Sequence, residues 1–266
     1  MKKNAFRSAS GYAFLTLVSL VFILPLVVLT VESLSGIAGA FSAENYRQVL
    51  GKTRNMQAFA TGLKLSGAVS LLAVTLSLSA ALALSRRSLG NPEGILSFIL
   101  LLSGLPFCTL VIPLYFVLFQ VRLLDSLPVT ALFLTAANIP PNIWILKKFI
   151  DSLPVELEET ARIDGSSRFT IFSRILLPQL SPVLTGTGIT TFINCWGNFI
   201  VPFILLSSSD KLPTALAFFQ VFSAGEPGLY GYLSAYAVLY ILPVLLLYFI
   251  LRLGRMRIFV IHRLKS

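Results

Sequence analysis

The sequence predicts an all-α membrane protein, with about six transmembrane helices and one ordered cytoplasmic loop between the fourth and the fifth. The 266 residues are 56% hydrophobic and 12% charged, with a mean hydropathy of +0.84, which is far from the composition of soluble globular proteins. The apolar residues gather in stretches of about 20 or more, a length that crosses a hydrocarbon core of about 30 Å. We therefore expect residues 1–266 to form a single transmembrane domain.

The expected spans follow one another along the whole chain. They cover residues 11–33, 58–84, 94–119, 127–149, 179–206 and 230–253. Because no water reaches the hydrocarbon core, backbone groups must pair within each segment, which favours helices over open strands. The first stretch also resembles a signal peptide, but its apolar run is longer than the about 7–15 residues of such peptides and contains Pro25. We expect it to be retained as the first span.

The basic residues indicate the orientation of the chain in the membrane. Fifteen Lys and Arg residues lie before the first span or after the second, fourth and sixth, against five in the other connections. Cytoplasmic connections are enriched in Lys and Arg, so both termini and the loop at residues 150–178 are expected in the cytoplasm. The net charge of +10 therefore suits anionic membrane lipid. The basic residues form no stripe with interleaved aromatic residues, which argues against nucleic acid as a partner.

The fifth expected span carries a polar stripe. Thr187, Thr191, Asn194 and Asn198 are spaced i, i+4, i+7 and i+11, so a continuous helix would present them on one face. Polar groups that face lipid are costly, and this face is expected to point into the protein or a wet cavity. Two interpretations stay open: the residues line a translocation path, or they form hydrogen bonds between helices.

The loop at residues 150–178 is polar and patterned, unlike the apolar sequence on either side of it. Ser152 is expected to cap a helix with Pro154 in its first turn, and the acidic residues that follow favour the positive helix start. Gly165 is expected to end this helix, since glycine adopts the left-handed conformation without strain.

A second short helix is expected after Gly165. Ser166 or Ser167 would cap it, and Pro178 would end it before the fifth span. Its apolar side would be formed by Phe169, Phe172, Ile175 and Leu176. Two short helices hinged at a glycine would form a docking knob on the cytoplasmic surface, the alternative being an amphipathic anchor in the membrane interface.

The spacing of the loop residues resembles that of a known family. Residues 159–161 read Glu-Thr-Ala, Gly165 follows after three residues, and residues 175–178 read Ile-Leu-Leu-Pro. This pattern resembles the Glu-Ala-Ala loop of ABC importer permeases. The run Ala-Arg-Ile-Asp-Gly at 161–165 resembles the carbohydrate, maltose-type branch of these binding-protein-dependent transporters. Asn45, Tyr46 and the Trp-Gly-Asn-Phe run at 196–199 extend the resemblance over nearly the whole chain.

The resemblance implies the fold of a type I ABC importer permease in a prokaryotic inner membrane. It implies three protein partners: a second homologous permease, a dimer of cytoplasmic ATPase subunits and an extracytoplasmic solute-binding protein. It also implies that Glu159, Ala161, Asp164 and Gly165 couple the chain to the ATPases. The expected cargo is a sugar or an oligosaccharide, and a sugar phosphate or polyol is the alternative.

No catalytic centre is expected in this chain. Residues 51–53 read Gly-Lys-Thr, as at the end of a phosphate loop, but Tyr46 stands where that motif requires glycine. ATP and Mg²⁺ are therefore expected on the partner ATPase, with no cofactor bound by this chain, and the lone His262 argues against a metal site. A stand-alone secondary transporter is less favoured, because no pair of ionisable residues lies in the middle of a span.

Overall fold

The computed structural model describes residues 2–35, 41–86, 91–104, 107–224 and 230–263, without the side chains of 2–11, 13, 102, 107, 108 and 251–263. Helices make up nearly all of this part of the chain, as the sequence predicts. They are α1 (Lys2–Ser33), α2 (Glu44–Gly51), α3 (Thr53–Arg86), α4 (Pro92–Ser103), α5 (Phe107–Gln120), α6 (Leu127–Asp151), α7 (Glu156–Ile163), α8 (Arg168–Thr170), α9 (Leu177–Trp196), α10 (Ile200–Leu205), α11 (Thr214–Ser223) and α12 (Tyr230–Arg263). A π-helical segment, Ile171–Leu176, joins α8 to α9, and a 3-10 turn covers Ser209–Lys211.

Four of the described helices are long and apolar enough to cross a membrane. They contain the segments Phe14–Ser33, Thr53–Arg86, Leu127–Asp151 and Tyr230–Ile250. These segments coincide with the first, second, fourth and sixth expected spans. The prolines at positions 140 and 141 do not interrupt α6, which runs on to Asp151.

The third and fifth expected spans are not single helices, so the continuous ranges 94–119 and 179–206 were wrong. The third is divided into α4 and α5, with a turn after Ser103 in which the Gly104 amide donates to the Leu101 carbonyl at 3.1 Å. Pro106, which the sequence places in this span, lies outside the described residues. The fifth is divided into α9 and α10 because the chain turns at Gly197 and starts a new helix at Ile200.

The chain divides into two compact units, and the first comprises Met1–Met56 with Ala217–Pro243. In this unit the Asn45 amide donates to the carbonyls of Ser33 and Ser35 at 3.1 and 3.0 Å. The hydroxyls of Ser33 and Tyr46 share a hydrogen bond of 2.7 Å. These bonds fix α2 beneath the end of α1, which gives Asn45 and Tyr46 a structural role.

The second unit comprises Gln57–Leu216 with Val244–Ser266 and holds the loop at residues 150–178 and the polar stripe. Its main core is formed by buried side chains from α3, α5, α6, α9 and α10, namely Leu65, Val69, Val111, Leu118, Leu134, Cys195, Val201 and Leu205. A separate cluster lies under the loop and consists of Ala81, Leu146, Ile150, Leu176 and Leu180. The second cluster packs the ends of α3 and α6 against the start of α9, which is the platform that carries α7.

Candidate functional site

The first loop helix, α7, begins later than expected. The prediction that Ser152 caps it was wrong, because α6 continues to Asp151 and the Ser152 hydroxyl donates to the Phe149 carbonyl at 2.7 Å. Ser152 therefore closes the preceding helix. The residue before α7 is Val155, which has no side-chain capping bond, and the first turn holds three glutamates. Their negative charge at the positive helix end favours this start in place of a cap.

The end of α7 is as predicted. Gly165 has a φ of +80° and stops the helix. The Ser166 amide donates to the Ala161 carbonyl at 3.0 Å, and the Gly165 amide donates to the Arg162 carbonyl at 3.1 Å. This pair of bonds is the Schellman arrangement, which satisfies the last carbonyls of a helix when the following residue is left-handed. A Cβ atom at Gly165 would meet no atom within 4 Å, so the backbone conformation alone calls for glycine.

The residues at this end of α7 form an outward-facing surface. Glu159, Asp164 and Gly165 are exposed, Ala161 is half-buried beneath them, and Ile163 is 86% exposed. No ion pair within the described part of the chain involves the Glu159 carboxylate. We call Glu159, Ile163, Asp164 and Gly165 the α7 surface. It combines an exposed carboxylate with a large exposed apolar side chain, as a protein-binding surface does.

The segment after Gly165 agrees with the prediction only in part. Of the two serines proposed as its cap, Ser167 fills the role, since its hydroxyl accepts from the Thr170 amide at 3.2 Å. The apolar side differs from the expected set: Ile171 and Leu176 are buried, whereas Phe169 is 77% exposed. The expected stop at Pro178 was wrong as well.

Pro178 lies inside the helical path because the turn before it is widened. The proline is the second residue of α9, directly after the π-helical segment Ile171–Leu176. A proline cannot donate to the carbonyl four residues earlier and collides with it in a regular α-helix. The π-helical segment precedes this position, and α8 therefore continues into α9 without a break.

A buried ion pair ties α7 to the end of α3, and sequence reasoning missed it. The Arg86 Nε donates to Glu158 Oε1 at 2.7 Å, and Arg86 Nη2 donates to the Leu153 carbonyl at 3.3 Å. The side chains of Arg86 and Glu158 are only 17% and 10% exposed. A clue lay in the three glutamates of the first turn of α7, because Glu156 and Glu159 share a helical face and Glu158 does not.

A second polar network and a cavity lie near the ion pair of Arg86 and Glu158. The Lys147 ammonium donates to Asp151 Oδ2 at 2.7 Å, and the Ser85 hydroxyl donates to Asp151 Oδ1. Near them is a cavity of about 480 Å³ between α3, α7, α8 and the π-helical segment. Its walls combine three arginines, one glutamate and several apolar side chains, and are formed by Ser79, Leu82, Ala83, Arg86, Glu158, Arg162, Arg168, Ile171, Phe172 and Leu176.

The polar stripe of α9 faces α6 over part of its length. Thr187 and Thr191 are 3% and 1% exposed. The Thr187 hydroxyl donates to the Val183 carbonyl at 2.9 Å, and the Thr191 hydroxyl accepts from the Asn142 amide at 2.9 Å. Asn194 is exposed and donates to Asn138 at 3.4 Å. Asn138 and Asn142, one helical turn apart in α6, were the sequence signal for this partner helix.

Asn198 does not share the helical face of the other three residues, so the assumption of one continuous stripe was wrong. Helix α9 ends at Trp196, and Asn198 lies in the turn before α10. Its side-chain oxygen accepts from the Val201 amide at 3.1 Å, which is the bond of a helix cap. Asparagine competes for backbone amides in this way, and Gly197 before it favours the turn.

A network of hydrogen bonds and one ion pair surrounds Asp125 in the connection between α5 and α6. The Asp125 carboxylate accepts from the amides of Ser207 and Ser208 at 2.9 and 3.0 Å, and from the Lys211 ammonium at 2.7 Å. The hydrogen bond from Lys211, followed by those from Ser208, holds the pKa of Asp125 well below its usual range. This network joins the loop before α6 to the loop after α10.

Comparison with known proteins identifies the family. The family of binding-protein-dependent transport system inner membrane components matches residues 73–259. The chain belongs to this family. Its members are transport components of a membrane system and not enzymes, and the resemblance to importer permeases drawn from the loop is confirmed. With four apolar helices and further shorter ones, the chain is a multi-pass inner-membrane protein.

Individual relatives cover most of the chain. The maltodextrin transport system permease protein of Bacillus subtilis is 26% identical over 250 residues, which are 91% of this chain and 90% of that protein. The diacetylchitobiose uptake system permease protein of Streptomyces coelicolor is 31% identical over 67% of this chain and 64% of its own. A solved bacterial alginate ABC transporter, in complex with an alginate pentasaccharide-bound periplasmic protein, has a TM-score of 0.74 at 16% identity, covering 96% of this chain and 97% of its own. This likeness confirms the permease fold.

Proposed function

We propose that the chain is the permease subunit of an ATP-driven, binding-protein-dependent ABC importer that moves a sugar or an oligosaccharide into the cytoplasm. The observation that carries the proposal is the α7 surface. It presents the exposed Glu159 carboxylate and the exposed Ile163 at the end of a helix that is anchored to α3. A surface of this kind is suited to engage a protein outside the membrane, and from the family we infer that this protein is a transport ATPase.

The cargo is proposed from the relatives. Maltodextrin, diacetylchitobiose and alginate, which their names give as the solutes of three similar proteins, are all oligomers or polymers of sugars. A sugar or an oligosaccharide is therefore the favoured cargo over a sugar phosphate or a polyol. The exposed Asn194 and half-buried Asn198 are the members of the predicted path that remain available to a solute.

The partners follow from the same reasoning. We propose a second homologous permease, a dimer of cytoplasmic ATPases that holds ATP and Mg²⁺, and an extracytoplasmic solute-binding protein like the periplasmic protein of the alginate transporter. No cofactor is assigned to this chain. ATP-driven closure of the ATPases would displace α7, and the helices packed on it would then open the path to the opposite side of the membrane.

The proposal is tested by purification of the tagged chain from its native membrane and by uptake of labelled oligosaccharide. The wild type is expected to bring an ATPase and a second permease with it. Glu159→Lys should lose the ATPase and the uptake, because a reversed charge at the α7 surface repels a basic partner group. Glu93→Lys, the same reversal at an exposed residue of α4, is the matched control and should keep both. Purification of the wild type without an ATPase contradicts the proposal.

A further inference from the structure

The last two residues of α3 hold both ends of the segment that links α6 to α7. Ser85 bonds to Asp151, which ends α6, and Arg86 bonds to Glu158 in α7. A further bond from Arg86 reaches the Leu153 carbonyl at 3.3 Å, in the middle of the link. The stretch 151–158 is thus bonded to α3 at Asp151, at Leu153 and at Glu158.

The bond between Arg86 and Glu158 is the strongest part of this tie. The two groups meet at 2.7 Å and are largely shielded from water, at 17% and 10% exposure. Removing one charge from a shielded pair leaves the other without compensation, which is far more disruptive than the loss of an exposed pair. The Asp151 carboxylate already accepts hydrogen bonds from Lys147 and Ser85, so it offers no replacement partner to Arg86.

We propose that Arg86 and Glu158 are positioning residues, which pass the displacement of α7 by the ATPase on to α3. This inference rests on the proposed function. Helix α3 runs from Thr53 to Arg86, and its Leu65 and Val69 lie in the same core as Cys195 of α9. A force applied at α7 therefore reaches the core around α9 through the ion pair and the length of α3, in addition to the direct chain connection through α8.

Two other arginines near this ion pair provide possible controls. Arg162 and Arg168 line the same cavity, but neither takes part in an ion pair within the described part of the chain. Arg168 lies at the start of α8, outside the α7 surface. Substitution of Arg168 removes the same charge from the same cavity without touching the tie to α3.

The test is a charge exchange in the assembled transporter. ATP hydrolysis and labelled-oligosaccharide uptake are measured together in vesicles, and the amount of solute moved per ATP hydrolysed is compared. Arg86→Glu and Glu158→Arg are each expected to lower this ratio about tenfold, and the exchanged pair Arg86→Glu/Glu158→Arg should restore it to within about threefold of the wild type. A purely structural role in assembly would lower hydrolysis and uptake together and leave the ratio unchanged.

A milder set of variants keeps the test decisive where charge reversal reduces the amount of protein in the membrane. Arg86→Gln and Glu158→Gln should each lower the ratio, and the double variant should lower it no further than either single change, since the second removes a bond already lost. Arg168→Gln should leave the ratio at the wild-type value. The inference is overturned if the double Gln variant lowers the ratio by the product of the two single effects, or if all three variants keep the wild-type ratio of solute moved per ATP hydrolysed. The proposed function stands in either case. A wild type without ATP-dependent uptake overturns both.

Discussion

The Asn142 side-chain amide donates a hydrogen bond of 2.9 Å to the Thr191 hydroxyl, and both side chains are buried between α6 and α9. This bond gives the inner part of the polar stripe a partner within the chain. Polar side chains inside membrane proteins commonly hold helices together in this way. We therefore assign Thr191 to helix packing and expect the solute-related residues further along the stripe.

The first prediction concerns this bond. Thr191→Val keeps the shape but leaves the Asn142 amide without an acceptor, which should cost about 0.5–2 kcal/mol of stability. Thermal unfolding of the detergent-solubilised protein measures the loss. Thr190→Val is the matched control, because Thr190 is exposed and its hydroxyl donates to the Gly186 carbonyl of its own helix. Equal melting temperatures in the two variants would refute the assignment.

The second prediction concerns the outer part of the stripe. Asn194 is exposed and bonds weakly to Asn138 at 3.4 Å, so its amide is available to a solute. Asn194→Leu should change the uptake or the solute preference by about tenfold, with little change in the amount of assembled protein. Ile193→Leu, at the exposed neighbouring position, should transport like the wild type. Normal transport by Asn194→Leu removes this residue from the path.

The third prediction concerns the dependence of stability on pH. The pKa of Asp125 lies below its ordinary value of 3.8, chiefly through the hydrogen bond from Lys211. A carboxyl whose folded pKa is lowered stabilises the protein fully above its unfolded pKa and loses this contribution as the pH falls through the folded value. The melting temperature should therefore decline below about pH 4. Asp125→Asn should melt lower at pH 7 and show a shallower decline, whereas a parallel curve would contradict the role of Asp125.

The fourth prediction concerns orientation, which the charge asymmetry alone supports. Cysteines introduced at Asn91 and Ser209 occupy exposed positions at the start of α4 and in the turn after α10. An impermeant thiol reagent should label Ser209→Cys from outside the cell, and Asn91→Cys only after the membrane is opened. Labelling of the intact cell at Asn91→Cys alone would invert the topology and place α7 outside.

The sequence was most informative where the structure depends on local chemistry. The stop at Gly165 follows from the conformational freedom of one residue, and the cap at Ser167 from a bond to the amide three residues on. The family pattern at 159–165 could be recognised because it also consists of residues close together in the sequence. The four spans that are single long helices were found because their signal is a composition, which needs no knowledge of neighbours.

The features that sequence reasoning missed depend on packing between distant segments or on competition between neighbours. Arg86 and Glu158 are 72 positions apart, and the residues around each of them do not indicate which partner it pairs with. Ser152 was assigned to the wrong helix because α6 extends two residues beyond the predicted end and takes its hydroxyl. Asn198 left the stripe because its side chain caps α10, an alternative that the helical spacing does not reveal.

Docking of a transport ATPase on the α7 surface can be tested by substitution of Gly165. Its φ of +80° suits glycine and is tolerated by asparagine, whereas a β-branched side chain is strained by about 1–2 kcal/mol. A Cβ atom at this position meets no atom within 4 Å, so a clash at Cβ does not separate the two substitutions and the comparison tests the backbone strain.

ATPase copurification and labelled-oligosaccharide uptake are therefore compared in Gly165→Val and Gly165→Asn at equal amounts of membrane-inserted protein. We expect Gly165→Val to lose both, and Gly165→Asn to keep a large part of both. Full uptake and full ATPase retention in Gly165→Val would disprove docking through the α7 surface.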